Sequence, residues 1–197
     1  LVIKEVPSKT IAFDWKVPEE WHVKEAWIKT PNGDKICDFA ENNLHLVGYS
    51  KAFHKKISKD ELLKHLYSLP NQPNAIPYIT SYYDKNWGFC ITDNEKNNLI
   101  DGDYEVFIDS DHFDGSLTYG EMIINESKKE EIFLSTYICH PSMANNELSG
   151  PCVTTFIAKW LKSLKNLKYK YRIIFIPETI GSILYLSLNY QEMKKNI

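Results

Sequence analysis

The sequence lacks the features that identify a membrane protein, a secreted protein or a disulfide scaffold. No run approaches the roughly 20 apolar residues of a membrane span, and residues 1–15 have no basic segment followed by an apolar core, as a signal peptide has. The four cysteines, Cys37, Cys90, Cys139 and Cys152, follow no CxxC or zinc-knuckle spacing. We therefore expect reduced thiols, a cytoplasmic location and no membrane partner.

An excess of charge of one sign is also missing. The chain has 23 basic and 26 acidic residues, for a net charge of −3, so no long-range field attracts a phosphate backbone. The densest basic stretch, residues 159–172, places its lysines at intervals typical of the solvated face of a helix. We expect no nucleic-acid partner.

What is present suits a folded globular protein. The 197 residues include 43% hydrophobic and 13% aromatic side chains, enough for one large domain or one domain with a smaller partner. Short apolar-polar alternations between residues 13 and 49, interrupted by the turn at 31–34, predict β-hairpins. Ser58 and Glu61 form a capping box that predicts a short helix ending before Pro70.

The middle of the chain predicts a small β subdomain at residues 67–127. It begins with an irregular segment rich in proline and aromatic residues, and its later part alternates over 104–109 and 116–124 like an antiparallel pair. Trp87, Tyr82 and Tyr83 fit either a stacking platform for a sugar or base or, more simply, the core of this β layer.

After a polar break, the pattern changes to strand, helix and strand over residues 131–138, 150–164 and 171–176. This order predicts an α/β fold, because a βαβ unit has parallel strands and a right-handed crossover. A further helix is predicted over 179–195. A parallel sheet normally has more strands than these, so we expect the sheet to be incomplete here and the chain to be a fragment of a longer protein.

Residues able to bind a metal or transfer protons follow both strands of this unit. His140 follows the first and Glu178 the second. If the strands are neighbours or are separated by one strand, these residues lie about 5 to 10 Å apart on one rim. The loop that connects the first strand to the helix adds the oxygens of Asn145, Asn146 and Glu147. Together with the histidine nitrogen, these oxygens form a donor set that suits Zn²⁺, Mn²⁺ or Co²⁺.

The motif STYICHPSMANNELSGP at 135–151 resembles the strand–loop–helix motif of M28-type zinc aminopeptidases and, more closely, that of bacterial proteins with an aminopeptidase-like domain. IPETIGS at 176–182 is similar to their second motif, and the segments LPNQPNAIPYITSYYDKNWGFC and GSLTYGE resemble their inserted β subdomain. The resemblance implies a zinc-exopeptidase-like parallel or mixed sheet, formed by residues 1–66 and 128–197, with the subdomain at 67–127.

The same resemblance implies His140 as a zinc ligand, Glu178 as a ligand or the catalytic general base, and Asn146 at the position of an aspartate that bridges two metals. The neutral Asn146 and the single glutamate depart from the family pattern, and the remaining acid and histidine ligands would come from beyond this chain. The implied activity is metal-dependent hydrolysis of an amide or peptide bond beside a free amino end. The substrate would be a small peptide or, because related proteins occur in surface-polysaccharide loci, an amide-bearing sugar derivative.

An alternative is a non-catalytic binding or scaffold protein that kept the fold, for which Asn146 is the sequence argument. In that case His140 would bond loop backbone, Asn145 and Asn146 would cap the following helix, and Glu178 would be an acid at a helix N-terminus. Homo-oligomerisation is compatible with either function. We assign no function to the other histidines, which show no ligand spacing: His22, His45, His54, His65 and His112.

Overall fold

The structure is a computed structural model that describes residues 1–81, 84–140 and 143–196. The chain divides into two compact units. We call Leu1–Glu20 with Asp114–Ile197 the terminal unit and Trp21–Phe113 the inserted unit. The predicted subdomain, residues 67–127, coincides with neither unit and overlaps both. Tyr82 and Tyr83, which the platform hypothesis invoked, lie outside the described residues.

The described elements follow one another along the chain in this order: β1 (Val2–Pro7), β2 (Ile11–Ala12), β3 (Trp15–Lys16), β4 (Glu20–Lys29), β5 (Lys35–Ile36), a 3₁₀ turn (Asn43–His45), β6 (Phe53–Ser58), α1 (Lys59–Leu63), β7 (Leu66–Tyr67), β8 (Phe89–Cys90), α2 (Asp93–Asn97), β9 (Asp103–Phe113), β10 (Ser116–Ile124), β11 (Glu131–Tyr137), α3 (Ala144–Ser163), β12 (Lys170–Ile176) and α4 (Ile180–Asn196). Among these, no helix is long and apolar enough to cross a membrane.

The terminal unit is built on a mixed sheet with the strand order β1-β10-β12-β11. β1 and β12 both run antiparallel to β10, whereas β11 and β12 are parallel neighbours. The predicted strand–helix–strand unit is therefore confirmed, with α3 as the connection. α3 begins at Ala144 rather than at the predicted Gly150 and contains Pro151.

The two long helices cover opposite faces of this sheet. Ile173 of β12 belongs to a core cluster with Ala158 and Leu161 of α3, whereas the next residue, Ile174, belongs to a cluster with Leu184 of α4. Successive side chains of a strand point to opposite faces. Burial on both faces explains why the second half of β12, residues 173–176, is an unbroken apolar run.

A buried ionic network interrupts the apolar core on the α4 face. The Arg172 guanidinium donates to Glu131 over 2.6 Å and to Glu121 over 2.9 Å, and all three side chains are less than a tenth exposed. Buried charges are tolerated when they are paired and hydrogen-bonded. The network joins all four strands to α4 through Lys4, Glu121, Glu131, Lys170, Arg172, Tyr185 and Glu192.

The inserted unit contains the sheet β5-β4-β9-β6 and the short parallel pair β7-β8. Ser58 is confirmed as the N-cap, because its side chain accepts a hydrogen bond from the Glu61 backbone N–H, but the helix ends at Leu63. The Glu61 carboxylate accepts from Lys64, so the second bond of the predicted capping box is not among those of the described residues. Trp87 is 6% exposed and stacks on Phe53 at 4.1 Å between ring centroids, so it is a core residue. The predicted pairing of 104–109 with 116–124 is wrong, since β9 lies beside β4 and β6, whereas β10 pairs with β1 and β12.

Candidate metal and hydrolytic site

The candidate site lies at the carboxyl ends of β11 and β12. The Ile138 N–H donates to the Ile176 carbonyl over 2.9 Å, so the pairing with β12 continues one residue past the end of β11. His140 and Glu178 then leave the sheet side by side, with 3.3 Å between Nε2 and Oε2. His140 is partly buried and Glu178 is exposed. The structure thus brings together the two site residues at the strand ends.

A tight turn fixes the direction of Glu178. Thr179 has φ of +54°, a left-handed conformation that is strained for a β-branched residue. The Gly181 N–H returns to the Pro177 carbonyl over 3.1 Å, and a Cβ on Gly181 would lie 2.8 Å from Pro177 and 2.9 Å from Ile176. The Glu-Thr-Ile-Gly turn therefore fixes the backbone from which the Glu178 side chain leaves the end of β12.

Glu147 and Cys139 form the other side of the site. Glu147 is 5% exposed, and its Oε2 accepts a hydrogen bond from the Cys139 backbone N–H over 2.7 Å. The Cys139 sulfur lies 3.8 Å from Glu147 Oε1 and accepts the Glu178 backbone N–H over 3.3 Å. Burial raises the pKa of the Cys139 thiol, and the nearby carboxylate of Glu147 raises it further against the opposing effect of the Glu178 N–H.

Three side chains of different donor type converge here. One ligand atom each from Cys139, His140 and Glu147 lies within 4.8 Å of the others. Thiolate, imidazole and carboxylate are the donors that zinc accepts in proteins. Asn146 is exposed in the first turn of α3, whereas the next residue, Glu147, is turned toward Cys139.

An open groove of about 590 Å³ lies beside this group. It runs along the end of β11 and the start of α3, and its walls are mostly apolar. Among the described residues, its lining consists of Ile138, Cys139, His140, Met143, Ala144, Glu147 and Leu148. Pro141 and Ser142, which the predicted loop includes, lie outside the described residues.

Sequence reasoning assigned no role to Cys139 and counted Glu147 only among the oxygens of the loop before the helix. It placed the helix start at Gly150, which left Glu147 in a loop without a defined direction. A helix that starts at Ala144 puts Glu147, Ala158 and Leu161 at helical spacing on the buried face. That spacing was the signal available in the sequence.

The comparisons with known proteins agree with this architecture. The family model described as "Domain of unknown function (DUF4910)" matches residues 1–197, so the chain belongs to that family. It is 53% identical over 194 residues to a Clostridium acetobutylicum protein named "Putative polysaccharide biosynthesis protein with aminopeptidase-like domain", which covers 98% of this chain and 44% of that protein.

A crystal structure from the same organism, of a "putative peptidase", superposes with a TM-score of 0.93 at 52% identity and covers 99% of this chain and 46% of that one. The chain therefore spans less than half the length of both relatives. The mixed α/β fold is shared with a protein that its name calls a peptidase.

Proposed function

We propose that this chain forms part of a zinc-dependent, aminopeptidase-like hydrolase with an M28-type, zinc-exopeptidase-like fold. The observation that carries the proposal is the His140–Glu178 pair, 3.3 Å apart at the carboxyl ends of adjacent parallel strands, where α/β folds bind ligands. The names of the two relatives, an aminopeptidase-like domain protein and a peptidase, support the reaction class.

The residues present fit a zinc ion. Two nitrogen or oxygen ligands about 2.1 Å from a tetrahedral zinc lie about 3.4 Å from each other, and His140 Nε2 and Glu178 Oε2 are 3.3 Å apart. His140 would hold the ion, and Glu178 would either hold it or stay in its outer shell. When bound, zinc lowers the pKa of a coordinated water and polarises the carbonyl of the scissile bond.

Glu178 is the group that we assign to proton transfer. Its carboxylate is exposed, lies 3.3 Å from His140, which lines the groove, and can accept a proton from the attacking water as the C–O bond forms. The same proton then passes to the amine that leaves as the C–N bond breaks. The groove beside it offers apolar walls to the residue that carries the free amino end.

The substrate proposed is a small peptide or an amide-bearing sugar derivative. The sugar is suggested by the name of the curated relative, which includes polysaccharide biosynthesis. The chain spans 44% of that relative. We propose that the further acid and histidine ligands lie in a part of the full-length protein that corresponds to the rest of the relative.

The test is hydrolysis by the full-length protein of a panel of amino-acid anilides and N-acyl amino sugars, with and without zinc. We expect zinc-dependent release of amine, and a loss of at least about 100-fold in kcat with Glu178→Gln at retained folding. Glu192→Gln, which changes an acid of α4 in the ionic network, is the matched control. Hydrolysis that survives both a chelator and Glu178→Gln would exclude the proposed mechanism.

A second candidate is a binding or scaffold protein that has kept the fold without catalysis. The exposed Asn146, a neutral residue at the position that the resemblance assigns to a bridging acid, favours it. Measurement of zinc binding distinguishes the hydrolase from the scaffold protein. Absence of bound zinc in the purified protein, together with no rise in Tm on adding zinc, would support the scaffold and exclude the hydrolase.

A further inference from the structure

We infer that Cys139 and Glu147 are metal ligands together with His140, and that they replace the side chain of Asn146 in this role. The inference rests on the metal dependence of the proposed function, but not on the reaction. It assigns a sulfur ligand to a site for which the sequence predicted only nitrogen and oxygen donors. The expected ion is Zn²⁺, with Co²⁺ as a spectroscopic substitute.

The distances fit one ion between the three side chains. For a zinc ion with a sulfur at about 2.3 Å and an oxygen at about 2.1 Å, a tetrahedral angle places the two ligands about 3.6 Å apart. The Cys139 sulfur and Glu147 Oε1 are 3.8 Å apart. All three ligand atoms lie within 4.8 Å of one another, which is wider than the roughly 3.4 to 3.6 Å between two ligands of one tetrahedral zinc, so the side chains would have to turn toward a bound ion.

Glu147 is held in the direction that ligation needs. Its Oε2 accepts the Cys139 backbone N–H, which leaves Oε1 on the side of the sulfur. A helix turns by about 100° per residue, so Asn146 and Glu147 cannot both face Cys139. The buried residue of the two is Glu147 and the exposed one is Asn146.

Cys139 is also oriented by its surroundings. Its sulfur accepts the Glu178 backbone N–H over 3.3 Å, and N–H donors of this kind stabilise negative charge on a ligating thiolate. A thiolate in the ligand set selects zinc and other borderline or soft ions over Mg²⁺ and Ca²⁺. The ligand set therefore predicts metal selectivity as well as affinity.

Cobalt titration of the full chain, reduced and freed of metal, tests the inference. We expect one equivalent of Co²⁺ to produce the ultraviolet charge-transfer absorption of a cobalt–thiolate bond, and Zn²⁺ to abolish it by displacement. Cys139→Ser should remove the absorption and weaken zinc binding by at least about 100-fold, beyond the 10- to 100-fold effect of an outer-shell partner. Cys152→Ser, at an exposed cysteine on α3, is the matched control and should change neither.

Glu147→Gln and Asn146→Ala separate ligation from structure. Glutamine keeps an oxygen acceptor for the Cys139 N–H but loses the charge, so we expect a stable protein with zinc affinity at least about 10-fold weaker. Asn146→Ala should leave zinc affinity unchanged. Circular dichroism of each variant confirms folding.

The outcomes distinguish the inference from the proposed function. Zinc binding that needs His140 but is insensitive to Cys139→Ser and Glu147→Gln would overturn the inference and leave the hydrolase standing. A cobalt–thiolate absorption in a full-length protein that hydrolyses nothing would support the inference and overturn the hydrolase. Failure of the folded wild-type chain to bind either ion would overturn the inference.

Discussion

The Glu147 carboxylate accepts a hydrogen bond from the Cys139 backbone N–H over 2.7 Å. This bond connects the first turns of α3 to the segment just after β11; Glu147 is buried and Cys139 is partly buried. A buried N–H that loses its acceptor costs about 1–3 kcal/mol. The contact is therefore part of the fold even without a metal.

Glu147→Ala should lower the free energy of unfolding of the metal-free chain by about 1–3 kcal/mol, because it removes the acceptor and leaves a small cavity. Glu147→Gln should lower it by less than half as much, since the amide oxygen can still accept the bond. Urea unfolding followed by circular dichroism measures both. Equal losses in the two variants would show that the charge, rather than the hydrogen bond, matters.

Acid should destabilise the terminal unit through Glu121. Burial alone would raise the pKa of this carboxyl, but hydrogen bonds from Lys4, Tyr185 and Arg172 lower it from 4.5 to about 2. The unfolded chain therefore takes up the proton first as the pH falls, so the contribution is complete above about pH 4.5 and is lost toward pH 2.

The measurement is urea unfolding at a series of pH values across that interval. We expect the unfolding free energy of the wild type to fall with a steeper slope than that of Glu121→Gln, which has no proton to bind. The variant should also be less stable near neutral pH, because Arg172 loses a charged partner in a buried position. Identical slopes would contradict this account of acid sensitivity.

Gly150→Ala should destabilise the terminal unit by about 1–3 kcal/mol, despite the better helix propensity of alanine. A Cβ at this position would lie 2.4 Å from Thr136 Oγ1, and the Thr136 Cβ is 3.7 Å away. Thr136→Ala removes the colliding oxygen and should restore most of the loss in the double variant. A thermal unfolding cycle of the four proteins gives the coupling, and additive effects would exclude the close approach as the cause.

Thr179→Gly should relieve backbone strain beside Glu178. The φ of +54° costs threonine about 1–3 kcal/mol, from which the greater chain entropy of glycine subtracts about 1 kcal/mol. We expect unchanged or slightly higher stability together with weaker zinc binding, because the turn no longer fixes the carboxylate. Thermal unfolding and zinc titration measure the two effects, and a clear loss of stability would argue against strain.

The sheet around β12 was predictable because its pattern is local. An apolar run, a helical segment and a second apolar run follow each other closely, and the parallel pairing of β11 and β12 follows from connection rules. The pairing of β10 was not predictable. Alternating residues fix which face of a strand is buried but not which strand lies beside it, and the short connection at 114–115 suggested a hairpin with β9 that the structure does not contain.

The site was predictable in part for the same reason. His140 and Glu178 end adjacent strands, so topology alone brings them together. Glu147 needed the true start of α3 at Ala144, and that start is hard to predict locally because the helix continues through Pro151, a residue type that usually ends or kinks a helix. Cys139 needed both the end of β11 and the start of α3 to be predicted, because it is a candidate ligand only when the helix places the Glu147 carboxylate beside it.

The close approach at Gly150 bears on what the motif at 135–151 records. A chain of this fold that had lost every ligand would still need a residue without a side chain where α3 crosses Thr136. Gly150 is thus a steric requirement of the architecture, whether or not a chain of this fold binds a metal. The proposed metal binding and hydrolysis depend instead on the side chains at 139, 140, 147 and 178, none of which this glycine touches.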